Sequence, residues 1–342
     1  MKSRIYFPII LTTLIFLVAA IACQDQSGIN DPFQSSDRTV SALKKITDSS
    51  PSVNSFTPNY NEGGAMQYSG MLGKDIYPVR VGQKVKLVSK DLSIVKDSVS
   101  ATGTLVQHFE GDLEIAGSFQ APTVGMNQRV DTVIHKPFTS TITRYLKYKK
   151  MSNTGNDTLD WKITSVSLPF GGTETTNIII SKLIITPAQG TSVITINNPA
   201  EYFFTVGKDK DKVDDNDEED NEKMELEHML QISGDFKLST WFKKDEDLKL
   251  RVEVLSQSAD PDVLTITYGA MMNGEHRTKY KFDLVSSAQE GIFYRRVYER
   301  SWKMQPYGGR MHAVINALTR SSVYDTNAGV EEKTWGIPYK VN

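Results

Sequence analysis

The chain has one cysteine, Cys23, in 342 residues. A disulfide framework is therefore excluded, and so is catalysis by a thiol at any other position. A large charge imbalance is also missing, because 39 basic and 41 acidic residues leave a net charge of -2. Such a balance supplies no field that would recruit nucleic acid.

Motifs for common catalytic and metal sites are absent as well. The sequence has no Gly-x-Ser-x-Gly elbow, no Gly-x-x-x-x-Gly-Lys loop and no His-Glu-x-x-His pair. Its five histidines lie in separate segments without the spacing of a metal site. We therefore expect neither a cofactor nor a metal ion.

Residues 1–23 have the pattern of an export signal. Lys2 and Arg4 precede an apolar run from Ile5 to Ala22, and Cys23 follows directly. This arrangement resembles the lipobox of bacterial lipoproteins, which implies that the Cys23 thiol carries a diacylglycerol and that the chain is cut before it. Gln24 after the cysteine resembles the sorting signal for the outer membrane.

Two other interpretations of residues 1–23 remain open. A transmembrane anchor needs about 20 apolar residues and usually a charged stop, whereas Cys23 is followed by Gln24-Asp25-Gln26. An ordinary secretory signal also fits, with an incidental cysteine. We predict a lipid-anchored, exported protein of the cell envelope that has the membrane as a partner.

Residues 24–75 are rich in Ser, Asn, Gly, Pro and Gln. This composition predicts a flexible tether. The spacing of Val40, Leu43 and Ile46 leaves one short helix over Arg38–Ile46 as the alternative.

Residues 76–207 alternate short runs of β-branched and aromatic residues with turn residues, and no window has a clean helical period. We predict an antiparallel β-sandwich domain. The predicted strands are 79–88, 93–109, 112–119, 129–135, 140–150, 158–168, 175–186, 192–196 and 202–206. Asn153–Asp157 and Phe170–Thr173 are predicted turns. Within Asp160–Leu168 the apolar positions change parity, which predicts a β-bulge.

Residues 208–223 contain nine acidic and four basic residues and no glycine. An EF-hand loop needs a glycine at its sixth position, so this segment is predicted to be a solvated acidic linker that binds cations weakly. We place the boundary between two domains there.

Residues 224–342 repeat the strand pattern. The predicted strands are 224–232, 236–242, 248–255, 263–268, 278–285, 292–300, 312–318 and 334–341. Eight strands at this spacing suit an immunoglobulin-like sandwich, although the usual cysteine pair is missing. The predicted fold is thus all-β, with two antiparallel β-sandwich domains.

One strand carries three carboxylates at alternate positions, Glu110, Asp112 and Glu114. Glu110–Glu114 resembles the Glu-x-Asp-x-Glu core of a jelly-roll glycoside hydrolase family. The resemblance implies Glu110 as nucleophile, Asp112 as the residue that holds its charge state and Glu114 as general acid. The alternative is a solvated strand face opposite Phe109, Leu113 and Ile115.

Residues 294–302 place aromatic and arginine side chains on one parity: Tyr294, Arg296, Tyr298, Arg300 and Trp302. This row is either a binding face or a core face whose arginines reach out at its edge. The four tryptophans, Trp161, Trp241, Trp302 and Trp335, are predicted core anchors.

Taken together, these patterns predict a binding or structural module of the envelope. A glycan or an envelope protein is the candidate partner. The alternative is a glycan-active hydrolase that uses Glu110, Asp112 and Glu114.

Overall fold

A computed structural model describes residues 32–54, 66–67, 75–121, 123, 129–188, 193–206, 241–270 and 277–341. The predicted signal, Cys23 and the acidic segment 208–223 lie outside these residues. By its contacts the chain divides into Met1–Ala42 and Leu43–Asn342. The described part of the first unit is the beginning of one helix.

The described elements are four helices and seventeen strands. The helices are α1 (Pro32–Ser49), α2 (Pro51–Asn54), α3 (Asp157–Asp160) and α4 (Arg320–Tyr324). The first nine strands are β1 (Met66–Gln67), β2 (Tyr77–Lys96), β3 (Ser100–Ser118), β4 (Thr132–Lys150), β5 (Trp161–Ser167), β6 (Phe170–Gly172), β7 (Ile178–Pro187), β8 (Ile194–Ile196) and β9 (Phe203–Thr205). The remaining strands are β10 (Trp241–Phe242), β11 (Asp247–Ser256), β12 (Val263–Ala270), β13 (Thr278–Lys281), β14 (Asp283–Glu290), β15 (Phe293–Lys303), β16 (Gly309–Leu318) and β17 (Glu332–Val341).

The strands form two sheets that share a core, so the predicted all-β sandwich architecture is confirmed. The larger sheet has twelve strands with the main order β1-β2-β3-β4-β6-β17-β16-β12-β13, and the smaller has the order β14-β15-β11-β7-β8. The residue pattern of β11 explains how the sheets come to pack face to face. Its apolar residues alternate with charged ones and are buried between the sheets: Leu248, Leu250, Val252 and Val254.

The predicted division into two self-contained domains, 76–207 and 224–342, does not match the pairing. Strand β6 pairs with both β4 and β17, and β7 pairs with β11, so each sheet contains strands from both sides of the predicted boundary. The later segment is therefore not a separate immunoglobulin-like sandwich. Hydrophobic alternation identifies strands and their faces, but it does not identify distant partners.

The larger sheet curves until its two halves face each other. Gln83 on β2 donates a hydrogen bond to Glu332 on β17 at 2.6 Å and accepts one from Asn316 on β16 at 2.9 Å. Strands β3, β4 and β6 separate β2 from β17 in the sheet order. These side chains can meet only if the sheet bends over its concave face.

Two local predictions have different outcomes. The bulge in β5 is confirmed, because the pairing with β4 shifts between Ser165 and Ile163. The predicted turn at Phe170–Thr173 is wrong, since Phe170–Gly172 is strand β6. A Cβ atom on Gly172, at φ 137°, would lie 2.2 Å from the Glu332 carbonyl oxygen. This glycine allows close strand contact rather than a chain reversal.

The long hairpin β2–β3 also corrects the prediction. A break was expected between strands 93–109 and 112–119, but β3 is continuous over both. The reversal lies at residues 97–100, where Asp97 N donates to Ser100 O at 2.9 Å. Gly111 suggested a turn in the sequence, but it lies within β3. The Phe138 ring packs over this glycine, and a Cβ atom there would lie 2.3 Å from the ring.

The predicted tether over 24–75 is corrected for its described part. Leu43 and Val53 are 0% exposed and belong to the core of the body. Thr47 forms a 2.6 Å hydrogen bond with the Tyr148 hydroxyl, and Arg144 donates to Val53 O at 2.8 Å. The spacing of Leu43 and Ile46 is typical of a helix, whereas the polar composition of residues 24–75 as a whole predicts a tether.

We expect Leu43→Ala to lower the free energy of unfolding of the protein by about 2–5 kcal/mol, because it leaves a cavity in the core. Denaturant titration followed by tryptophan fluorescence measures this change. Lys44→Ala, on the exposed side of the same helix, is the control and should have little effect. Equal stabilities of the two variants would mean that the helix is not part of the folded body.

Candidate functional site

The three carboxylates of β3 face away from the core, as the alternation rule predicted. Phe109, Leu113 and Ile115 point into the core and are buried. Glu110 is exposed, and Asp112 and Glu114 are half-buried. The solvated-face interpretation of this strand is therefore the one that the burial pattern supports.

Neighbouring strands bring a lysine and a histidine to these carboxylates. The register places Glu114 opposite His135 on β4 and Asp112 opposite Lys84 on β2. His135 Nδ1 lies 2.7 Å from Asp112 Oδ2 and 3.9 Å from Glu114 Oε1. Lys84 Nζ forms an ion pair with Glu114 at 2.5 Å. We call Lys84, Asp112, Glu114 and His135 the carboxylate cluster.

The carboxylate cluster contains a set of ligand types that suits a divalent cation. One ligand atom each from Asp112, Glu114 and His135 lies within 4.8 Å of the others. Lys84 competes for Glu114, and its pKa is raised by the hydrogen bond to that carboxylate. The sequence did not predict this set of ligands, because His135 is brought to the carboxylates only by the register of β3 and β4.

The tryptophans do not provide a sugar-binding platform within the described residues. Trp161, Trp302 and Trp335 are buried, as predicted for core anchors. The side chain of Trp241 lies outside the described residues.

The aromatic row of β15 faces the core. Tyr298 and Trp302 are buried, and the Trp302 ring packs edge-on against Tyr339 with centroids 5.1 Å apart. The core-face interpretation is thus confirmed, but its arginines were expected at the edge. Arg296 is instead fully buried and forms a 2.6 Å ion pair with Asp262.

This ion pair is held by further hydrogen bonds. Arg296 also donates to the carbonyl oxygens of Ser258 and Ala259, and Ser256 Oγ donates to Asp262. Burial raises the pKa of Asp262 to about 6 against the opposing attraction of Arg296. The pair fixes the loop before β12 to β15.

A buried polar surface lies on the concave side of the larger sheet. Gln107 is opposite Ile142, and Ser140 is its diagonal neighbour on β4. Among the described atoms, Gln107 Oε1, Ser140 Oγ and Thr334 Oγ1 have no hydrogen-bond partner. Buried polar atoms of this kind are usually completed by water or a ligand.

His312 belongs to the same concave side, two residues before Val314, which packs against Phe109 and Ile142. Desolvation, and secondarily the charge of Arg144, lowers the pKa of His312 to about 4. The sequence offered no sign of this environment, because strand alternation does not distinguish a polar interior from a solvated face.

Comparison with known protein families and with curated proteins finds no match for this chain.

We expect the stability of the protein to depend on pH through His312. Its pKa is about 4 when folded and about 6.5 when unfolded. The unfolded chain therefore binds more protons between these values, and acidification from pH 6.5 to 4 should cost up to about 3 kcal/mol. Unfolding free energies of wild type and His312→Gln across this range test it. Parallel curves for the two proteins would contradict the assignment.

We expect Arg296→Met to lower the unfolding free energy by about 3–5 kcal/mol, because it leaves Asp262 buried without its cation. Arg295→Met is the matched control, since Arg295 pairs with Glu290 on the opposite, exposed side of the strand. Calorimetric unfolding of both variants measures the difference. A similar loss in the two would show that burial of the pair is not what matters.

Proposed function

We propose that the chain is an exported lipoprotein, anchored through a lipid on Cys23, whose β-sandwich body acts as a binding or structural module of the cell envelope. The observation that carries the proposal is the position of the single cysteine directly after the apolar run Ile5–Ala22. A destination in the outer membrane is part of the proposal and follows from Gln24.

The body has properties that suit this role. Its core is formed by packing without disulfides, as an exported chain with one lipidated cysteine requires. None of the helices in the described ranges is long and apolar enough to cross a membrane. A lipid would then supply the attachment, and two or more acyl chains on one residue make a lasting anchor.

The candidate partner of this proposed module is a glycan or an envelope protein. Such a partner would have to contact the exposed surface, because the polar atoms of Gln107, Ser140 and Thr334 on the concave side are buried. Buried polar atoms of this kind are usually completed by water.

The hydrolase alternative has weaker support. Its general acid, Glu114, is paired with Lys84, and its supporting Asp112 is paired with His135. A general acid donates a proton to the leaving group, whereas the carboxylate of Glu114 is engaged by the Lys84 ammonium. Contacts of this kind are typical of a solvated strand face.

We expect Cys23→Ala to abolish incorporation of labelled fatty acid and to leave the precursor uncleaved. Metabolic labelling followed by gel fluorography in a bacterial host measures both results. Wild type is the positive control, and Gln24→Ala, which keeps the thiol, should be labelled normally. Label retained by Cys23→Ala would contradict the lipid attachment.

A further inference from the structure

One end of the larger sheet exposes four apolar side chains. Val95 and Val99 flank the reversal between β2 and β3 and are 74% and 60% exposed. Met151 follows β4 and Leu159 lies in α3, and they are 52% and 65% exposed. We call these four residues the apolar tip.

Backbone hydrogen bonds hold the apolar tip together. Lys150 N donates to Val99 O at 2.8 Å, which joins the end of β4 to the reversal. Met151 N donates to Asp160 O at 2.6 Å, which places Met151 beside the turn that contains Leu159. The four side chains therefore project from a fixed arrangement and not from separate loops.

Lysines surround the apolar tip. Lys149 is opposite Lys162 on the outer side of the sheet, Lys96 ends β2 and Lys150 ends β4. Among the acids nearby, Asp160 is buried and accepts hydrogen bonds from Ser152 and Thr154. Asp97 and Asp157 are accessible and offset two of the four lysines, so the exposed surface of this end has a small positive charge. Apolar side chains ringed by lysines are typical of surfaces that dock on anionic lipid.

The part of α1 that belongs to the body, residues 43–49, contacts β4 near this end. Thr47 contacts Tyr148, two residues before the end of β4, and Val53 contacts Arg144, further from the end. The chain therefore runs away from the apolar tip as it proceeds from Thr47 to Val53. Thr47 is therefore nearer to the apolar tip than Val53 is.

The chain length limits how far the body can lie from a lipid on Cys23. From Leu43 back to Pro32, α1 rises about 16 Å at 1.5 Å per residue. The residues from Pro32 to Cys23 add at most about 32 Å. The anchor would thus keep the body's first residue within about 50 Å of the membrane.

We propose that the apolar tip docks on the surface of an anionic phospholipid bilayer, with Val95, Val99, Met151 and Leu159 entering the interface and the lysines facing the headgroups. The proposal rests on the proposed lipid anchor, which would hold the body near the membrane. Docking would orient the sheets against the bilayer, whereas the lipid alone would leave the body free to tumble.

Sedimentation with phospholipid vesicles tests the docking without the lipid. The protein is the chain from residue 23 to Asn342 with Cys23→Ser, and the vesicles contain phosphatidylcholine with or without one quarter phosphatidylglycerol. We expect binding to the anionic vesicles, and at least tenfold weaker binding for the double variant Val99→Asp, Leu159→Asp. Phe119→Asp alters an equally exposed apolar residue at the opposite end of β3, so it should bind like the parent.

Three results would overturn the proposal: no binding by the parent protein, equal binding by the tip variant, or equal binding to neutral vesicles. Circular dichroism should give the same sheet signal for all three proteins, because the changed side chains are exposed. Since Cys23 is replaced throughout, failure here overturns the docking and leaves the lipid anchor untouched. Loss of fatty-acid labelling specificity at Cys23 would separately overturn the anchor.

Discussion

The closed curvature of the larger sheet depends on Glu332. This residue is fully buried, and its carboxylate accepts hydrogen bonds from Gln83 and Asn316. Its backbone N–H donates to Thr173 Oγ1 at 2.9 Å, just after β6. Glu332 thus links β2 and β16 to the residue that follows the short strand β6. Because a buried carboxylate without partners is costly, the sheet is held in the geometry that supplies them.

This closure explains why the two halves of the chain cannot be separated into domains. Strand β6 lies between β4 and β17, and its glycines allow both neighbours to approach closely. The concave side that results combines apolar contacts, such as Phe109 with Val314, and polar groups. The opposite side of β16 and β17 packs on the smaller sheet through residues such as Ile315 and Trp335. Strands β16 and β17 therefore contribute one face to the concave side and the other face to the core between the sheets.

The sequence predicted the β class and the faces of many strands, because alternation in stretches such as Leu248–Val254 is a local property. The bulge of β5 was predictable for the same reason. The pairing of β7 with β11 was not, since about 70 residues separate them and period-2 patterns match many partners equally well. The acidic segment 208–223 suggested a boundary, but a charged insertion between paired strands has the same composition.

For the candidate site, the common face of Glu110, Asp112 and Glu114 followed from strand spacing alone. Their pairing with Lys84 and His135 required the register of three strands, which no local pattern specifies. The burial of Arg296 was missed for a related reason. An arginine between two tyrosines looks the same in sequence whether or not an aspartate such as Asp262 is brought to it by another strand.

The docking of the N-terminal helix also has a mechanical consequence. A pull on the N-terminus would load the buried Leu43 first, then the contact of Thr47 with Tyr148, and then the contact of Val53 with Arg144. Because Leu43 and Val53 are part of the core, the force would pass into the packing between the sheets. A tension on this end of the chain would therefore be resisted by the folded body itself.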